Sequence, residues 1–140
     1  MAGHHVTMTS EARLPVASLT GDDVITAEPD ATLVDVADIL AAQDVGVVVL
    51  GSPQQVTGIV SERDLVRAVA DRRDLASTRA SEVARTDLVW ADGATPVAEV
   101  AAEMLEEWVR HVLISDGGHL VGVVSVRDML GALAQDAGTD

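Results

Sequence analysis

Apolar residues occur along the chain in two patterns, either as short continuous runs or three to four positions apart. The order in which these patterns follow one another predicts the first set of strands and helices. Short runs rich in Val and Ile, bounded by turn residues such as Gly51 and Pro53, are typical of strands. From Leu33 onward, apolar residues recur three or four positions apart, which predicts an amphipathic helix. The predicted elements are strands at residues 23–27, 45–50 and 56–60, a helix over 33–40 and a helix from 61 to about 71.

The same order of elements returns 64 residues later. Residues 25–70 align with residues 89–134 without a gap, and Gly-Ile-Val-Ser-Glu-Arg-Asp-Leu at 58–65 returns as Gly-Val-Val-Ser-Val-Arg-Asp-Met at 122–129. A gapless register over a whole β-α-β-β-α unit indicates a duplication. The second copy is predicted to have strands at 88–91, 110–115 and 120–124 and helices over 96–107 and 125–133.

One such unit leaves an apolar sheet face poorly covered, whereas two units packed together cover it. The chain is therefore predicted to have an α/β (α+β) fold, in which tandem β-α-β-β-α repeats form a pseudo-twofold pair with two equivalent clefts where the copies meet. The predicted parts are a disordered leader at 1–13, which holds His4 and His5 and is assigned no ligand role, repeat 1 at 14–73, a linker at 74–79, repeat 2 at 80–135 and a polar tail at 136–140.

The composition excludes several classes of chemistry. The absence of cysteine removes disulfides, thiolate nucleophiles and cysteine-based zinc sites. A formal net charge of −14 opposes contact with nucleic acid or an anionic membrane surface. Without a membrane span or a signal peptide pattern, the chain is expected to be soluble and cytoplasmic. His111 and His119 have no nucleophile or metal-ligand spacing around them, so no enzymatic activity and no metal site are expected.

The repeated Ser-x-Arg-Asp segment places polar groups where a helix is predicted to begin. Free N–H groups at a helix N-terminus favour a nearby phosphate, and an ionised Asp can accept hydrogen bonds from both hydroxyls of a ribose. The same Ser and Asp also suit a helix N-cap that holds no ligand. Both interpretations, ligand binding and capping, fit the pattern, and one pair of residues can do both.

The duplicated unit with Gly-[Ile/Val]-Val-Ser-x-Arg-Asp-[Leu/Met] before each closing helix resembles a pair of cystathionine β-synthase (CBS) domains, also called a Bateman module. The resemblance implies a non-enzymatic regulatory module that binds an adenosine-containing ligand such as AMP, ADP, ATP, NAD or S-adenosylmethionine. It also implies a homodimer and an effector protein that receives the signal. No cofactor is required, because the adenine nucleotide is the regulatory ligand.

The resemblance also implies a site in each repeat. Ribose and phosphate would contact the Ser-x-Arg-Asp segments, and adenine would lie against the strand that precedes each turn. The implied ribose and phosphate residues are Ser61, Arg63, Asp64, Ser125, Arg127 and Asp128, and the implied adenine residues are Val45, Gly46, Val47, Val109, Arg110 and His111.

The chain departs from the family pattern and from its own symmetry around these positions. Family sequences often carry proline where this chain has Val49 and Leu113, and methionine where it has Thr20 and Ala84. Thr26 of the first copy corresponds to Trp90 of the second, which predicts two sites of different affinity. The alternative function is a structural dimerisation or protein-interaction module whose motifs only cap helices.

Overall fold

The structure, a computed structural model, describes residues 10–21 and 23–137, and these contain the predicted β-α-β-β-α order twice. The elements in chain order are α1 (Ser10–Arg13), a 3₁₀ turn (Val16–Leu19), β1 (Thr26–Ala27), α2 (Leu33–Gln43), β2 (Val47–Ser52), β3 (Gln55–Ser61), α3 (Glu62–Ala70), α4 (Ala80–Val83), β4 (Trp90–Asp92), α5 (Val97–Glu107), β5 (His111–Asp116), β6 (His119–Ser125) and α6 (Val126–Ala137). The predicted fold class is confirmed.

Each repeat contributes one three-stranded sheet, with the orders β1-β2-β3 and β4-β5-β6. The outer strand runs parallel to the central strand, and the hairpin that follows is antiparallel. The two sheets have matching registers, since Thr26 pairs with Val49 and Trp90 pairs with Leu113. The strand predicted at 23–27 shortens to two residues because β1 is an edge strand that pairs only where β2 lies beside it.

The apolar residues that predicted the elements form two separate cores. In the first, Val36 and Leu40 of α2 pack with Val48 of β2 and Val60 of β3. In the second, the residues that pack together include Val16, Val97, Val100, Val112, Ile114 and Val124. The helical spacing seen from Leu33 onward therefore marks the face of α2 that turns to its sheet.

Two compact units divide the chain, and they do not follow the sequence repeats at their edges. One unit is continuous and covers Asp23–Leu88; the other joins the described residues before 23 to those from 89 onward. In the second unit, the Val16 N–H donates to the carbonyl of Thr95 (2.7 Å). In the first, the Arg85 N–H donates to the carbonyl of Ile59 (2.9 Å). The segment that leads into each repeat thus packs on the sheet of the other.

The segment at residues 10–21 corrects one expectation. Residues 1–13 were expected to form a disordered leader, but Ser10–Arg13 form a helical turn. The Val97 N–H donates to the carbonyl of Leu14 (2.9 Å), which ties this region to α5. The rest of the expected leader, with His4 and His5, and the end of the expected tail lie outside the described residues. No helix in the described ranges has the length and apolar character needed to cross a membrane.

Helices α2 and α5 end in the same unusual conformation. Asp44 and Trp108 cap their C-termini in the left-handed region, with φ values of 54° and 57°. The next residue in each case donates its N–H back into the helix, from Val45 to Leu40 and from Val109 to Met104, both at 3.2 Å. A left-handed residue at this place ends a helix and turns the chain toward the following strand.

Candidate functional site

The first Ser-x-Arg-Asp motif forms a capping box at the junction of β3 and α3. The Asp64 carboxylate oxygen Oδ2 accepts from the N–H of Ser61 at 2.8 Å and from its hydroxyl at 3.0 Å. In return, the Asp64 N–H donates to Ser61 Oγ at 3.3 Å. Both residues are buried, and the side chain of Asp64 is 9% exposed. The cap occupies one carboxylate oxygen, and Asp64 Oδ1 accepts no hydrogen bond from the described residues.

The second motif forms the same cap in a more open place. The Ser125 N–H donates to Asp128 Oδ2 at 2.8 Å, and the Asp128 N–H donates to Ser125 Oγ at 3.1 Å. Asp128 is exposed, whereas Asp64 is buried. The two copies therefore share the two hydrogen bonds donated by backbone N–H groups and differ in their access to solvent.

A cleft of about 430 Å³ opens beside Asp64, within the unit Asp23–Leu88. One wall is α3 with the residues just after it, and the other is the end of α4 with the segment that follows. The lining residues are Asp64, Arg67, Ala68, Asp71, Arg73, Glu82, Val83, Ala84, Arg85, Thr86 and Asp87. Its volume lies within the range of roughly 300–1,000 Å³ that small-molecule sites usually have.

Three guanidinium groups line this cleft. Arg85 Nε lies 3.9 Å from Asp64 Oδ1, and Arg73 lies 3.7 Å from Glu82. Arg67 forms no ion pair with any of the described residues. The cleft therefore offers a buried carboxylate, which suits hydroxyl donors, beside cationic groups, which suit an anion.

Arg63 and Arg127, the arginines within the two motifs, are exposed. Neither forms an ion pair within the described ranges. Arg63 does not line the Asp64 cleft, although it stands next to Asp64 in sequence. The arginines that the structure brings to the cleft come instead from the next turn of α3, from the residues just after α3 and from the segment after α4.

The residues expected near adenine adjoin the motifs through the backbone. Val47 pairs with Ser61 across the hairpin, and the carbonyl of Gly46 accepts from the N–H of Glu62 at 2.9 Å. The Val45 N–H, by contrast, donates to the carbonyl of Leu40 at the C-terminus of α2. None of the three lines the cleft beside Asp64.

The second copy repeats this backbone arrangement. His111 pairs with Ser125, and the carbonyl of Arg110 accepts from the N–H of Val126 at 3.0 Å. The Val109 N–H donates to the carbonyl of Met104 at the C-terminus of α5, as that of Val45 does in α2. Trp90 is partly exposed on the edge strand β4. Arg110 and His111 of the second copy correspond to Gly46 and Val47 of the first.

Sequence reasoning missed the wall formed by Arg85, Thr86 and Asp87, which lie in predicted repeat 2 just before its first predicted strand. One signal could have found it. Gly58 recurs as Gly122, and a glycine at the same place in both strands indicates that another chain segment approaches closely there. A β-carbon on Gly58 would lie 2.9 Å from the Arg85 carbonyl oxygen, and one on Gly122 would overlap the side chain of Thr20.

The described residues contain no group of three or more His, Asp or Glu placed to hold a metal ion. The chemistry that the cleft supports is recognition: the carboxylate can accept from hydroxyls, and the guanidinium groups can donate to an anion.

Comparison with known proteins agrees with the duplicated architecture. The CBS domain family matches residues 16–71 and again residues 80–135. A 17.7 kDa protein of Acidianus ambivalens is 32% identical over 120 residues, which cover 84% of this chain and 72% of that protein. Two further archaeal relatives are longer, since the chain spans 60% and 44% of their length.

Two solved structures share the fold. A CBS domain protein from Pyrobaculum aerophilum, complexed with AMP, is 32% identical with a TM-score of 0.77, covering 90% of this chain and all of that one. A hexameric CBS-CP12 protein from bloom-forming cyanobacteria is 25% identical with a TM-score of 0.76, covering 84% of this chain and 66% of that one. With both repeats matched and a relative above 30% identity, the chain belongs to the family of CBS domain proteins, whose repeats are typically regulatory rather than catalytic.

Proposed function

We propose that the protein is a non-enzymatic sensor, which binds an adenosine-containing ligand at Ser61 and Asp64 and signals its occupancy to a partner protein. The candidate ligands are AMP, ADP, ATP, NAD and S-adenosylmethionine. One observation carries the proposal: the buried Asp64 carboxylate stands in the wall of a cleft of about 430 Å³ with its Oδ1 turned away from the helix cap. A ribose diol needs such an acceptor, and a phosphate needs the neighbouring arginines.

A solved relative supports the class of ligand, because the Pyrobaculum protein of the same fold is complexed with AMP. The cleft is lined by residues of both sequence repeats, with Asp64 from the first and residues 82–87 from the second. Both walls of the cleft belong to the compact unit Asp23–Leu88. Arg67 is the proposed phosphate contact within this cleft, and Arg63 of the motif, which does not line the cleft, is a further proposed contact outside it.

The two motif copies are proposed to bind with different strength. Asp64 is buried beside arginines, where a charge-assisted hydrogen bond is screened less by solvent than at the surface. Asp128 is exposed and faces solvent, so its bonds to a ligand compete with water. The Ser61 and Asp64 copy is therefore the stronger site, and Ser125, Arg127 and Asp128 form the weaker one. Adenine is proposed to lie against Val45, Gly46 and Val47 in the first copy, which do not line the cleft but adjoin the motif through the backbone. In the second copy it is proposed to lie against Val109, Arg110 and His111.

Signalling would follow from ordinary linkage. A ligand that binds one conformation more tightly than another shifts the population toward it, and a partner that reads that conformation receives the signal. A homodimer is the proposed assembly, and an oligomeric relative, the hexameric CBS-CP12 protein, supports self-association.

Calorimetric titration of the five candidate ligands tests this function, with Asp64→Asn and Asp128→Asn as site variants. Asparagine keeps a carbonyl oxygen that can accept from the motif Ser N–H, so the helix cap survives while the charge is lost. At least one ligand should bind, Asp64→Asn should weaken it by roughly tenfold or more, and Asp128→Asn should leave that strong site intact. Absence of binding by all five ligands contradicts the proposal.

A second function is favoured by a different observation. Both capping boxes are complete from protein groups alone, as a structural or protein-interaction module would require. In that case Asp64→Asn changes no ligand response, and a thermal-shift screen shows no stabilisation. A true ligand at a hundred times its Kd would stabilise by about 2.7 kcal/mol.

A further inference from the structure

We infer that Arg85 competes with the ribose of the ligand for Asp64, and that this competition makes the cleft select anionic ligands over uncharged nucleosides. The inference rests on the proposed function and adds to it a specificity-determining residue. It follows from the position of one guanidinium group, which stands beside the only oxygen of Asp64 that the helix cap leaves open.

The backbone of Arg85 is held in place, so only its side chain is available to move. Arg85 and Ile59 exchange two backbone hydrogen bonds, at 2.9 and 3.0 Å. The absence of a β-carbon at Gly58 lets the Arg85 carbonyl approach this closely. The side chain of Arg85 is 43% exposed, and its Nε lies 3.9 Å from Asp64 Oδ1, too far for a hydrogen bond. This is a loose ion pair on a rigid backbone.

A ribose diol that binds Asp64 must use Oδ1. The other oxygen, Oδ2, already accepts two hydrogen bonds from Ser61. Ribose hydroxyls placed at Oδ1 enter the space between that oxygen and the guanidinium, and Arg85 then loses its counter-charge. A nucleoside has no anionic group to replace the lost carboxylate, whereas a nucleotide supplies a phosphate to which the displaced guanidinium can donate.

The other charges of the cleft make Arg85 important for the binding of an anion. Asp71, Glu82 and Asp87 also line the cleft, and they repel an anion. Arg73 is engaged with Glu82 at 3.7 Å, which leaves Arg67 and Arg85 as the cationic groups available to a phosphate. Removal of Arg85 therefore leaves Arg67 as the cationic group of the cleft lining that is available to an anionic ligand. The same change frees Asp64 for an uncharged diol.

The second copy differs at this position. By the 64-residue offset, Arg85 corresponds to Gly21, which has no side chain to compete for Asp128. The selectivity is therefore expected at the Asp64 cleft, and the test is made in an Asp128→Asn background so that only this cleft is measured.

The experiment measures the Kd of AMP and of adenosine by calorimetry at low salt for the background protein and for Arg85→Gln, Arg85→Lys and Arg79→Gln. Arg79 directly precedes α4, is exposed and does not line the cleft, so Arg79→Gln removes an equal charge as the matched control. Arg85→Gln should weaken AMP by roughly tenfold and leave adenosine binding equal or tighter. Arg85→Lys should keep most of the preference for AMP, and Arg79→Gln should change neither ligand. Added salt should reduce the preference in the background protein.

The opposite response of the two ligands separates competition from a structural role. An equal loss of AMP and adenosine in Arg85→Gln would overturn the inference, because it would mean that the substitution damaged the cleft. Unchanged binding of both ligands would overturn it as well, while leaving the proposed function standing. If the unsubstituted protein bound neither ligand nor any of the other candidates, the proposed function would fall and this inference with it.

Discussion

The carbonyl oxygen of Arg85 lies 2.9 Å from the place that a β-carbon on Gly58 would occupy. This contact joins β3 to the segment after α4, and it positions both the backbone of the cleft wall and the arginine that faces Asp64. The glycine is required by space, since the neighbouring atom belongs to the backbone and cannot rotate away.

Gly58→Ala should therefore destabilise the protein by about 1–3 kcal/mol, the usual effect of overpacking a tight contact. Urea denaturation gives this free energy of unfolding. The matched control is Gly21→Ala, because a β-carbon on Gly21 would meet nothing within 4 Å. Equal stability of the two variants would show that the Arg85 segment can move aside freely.

The left-handed end of α2 allows a stabilising substitution. Asp44 has a φ of 54°, a conformation that glycine adopts without the strain imposed by a β-carbon. Asp44→Gly should raise the free energy of unfolding by about 1 kcal/mol. Gln43→Gly, one residue earlier and inside the helix, should lower it by about 1 kcal/mol. The two substitutions introduce the same residue, so a shared sign in thermal denaturation would refute the conformational explanation.

Burial separates two leucines of the second repeat. Leu113 is fully buried in the central strand β5, whereas Leu105 of α5 is 79% exposed. Leu113→Ala should cost about 2–5 kcal/mol, since it removes apolar contacts and leaves a cavity. Leu105→Ala should change stability by less than about 0.5 kcal/mol. Chemical denaturation of both variants measures the difference, and a large loss in Leu105→Ala would show that this leucine is covered by another molecule in solution.

The two capping aspartates should contribute unequally to stability. Asp64→Ala leaves the buried N–H of Ser61 without its acceptor, which should cost about 2 kcal/mol. Asp128→Ala removes an exposed acceptor whose place water can take, so the loss in the free energy of unfolding should stay below about 1 kcal/mol. Urea denaturation without ligand compares the two. Equal losses would mean that burial at Ser61 does not matter for the cap.

The element order and most of the core could be predicted from the sequence, because both follow from local patterns. Leu33, Val36 and Leu40 recur at helical spacing, and all three are buried. The Ser-x-Arg-Asp segments were expected at helix N-termini, and Ser61 caps α3 while Ser125 directly precedes α6. Periodicity was less informative at the ends of the elements. The length of β1 depends on where it pairs with β2, and α2 ends where Asp44 takes the left-handed conformation.

The composition of the cleft could not be predicted in the same way. Arg85 reaches Asp64 through a pairing between residues far apart in sequence, and no local period marks such a contact. The motif arginine Arg63 looked closer to the site because it is adjacent to Asp64, yet successive residues on a helix face different directions. The loop that follows α4 contributes the wall, and loops carry few sequence signals beyond polarity.

The segment before each repeat packs with the other repeat, and this arrangement also sets the order in which the two compact units can fold during synthesis. The unit Asp23–Leu88 is continuous and can close as soon as Leu88 has been synthesised. Residues 10–21 belong to the compact unit whose last strand ends at Ser125, so they must wait while the whole second repeat is made. At ~5–20 residues per second this delay is on the order of ten seconds. The first described residues to leave the ribosome are thus among the last to reach their native contacts.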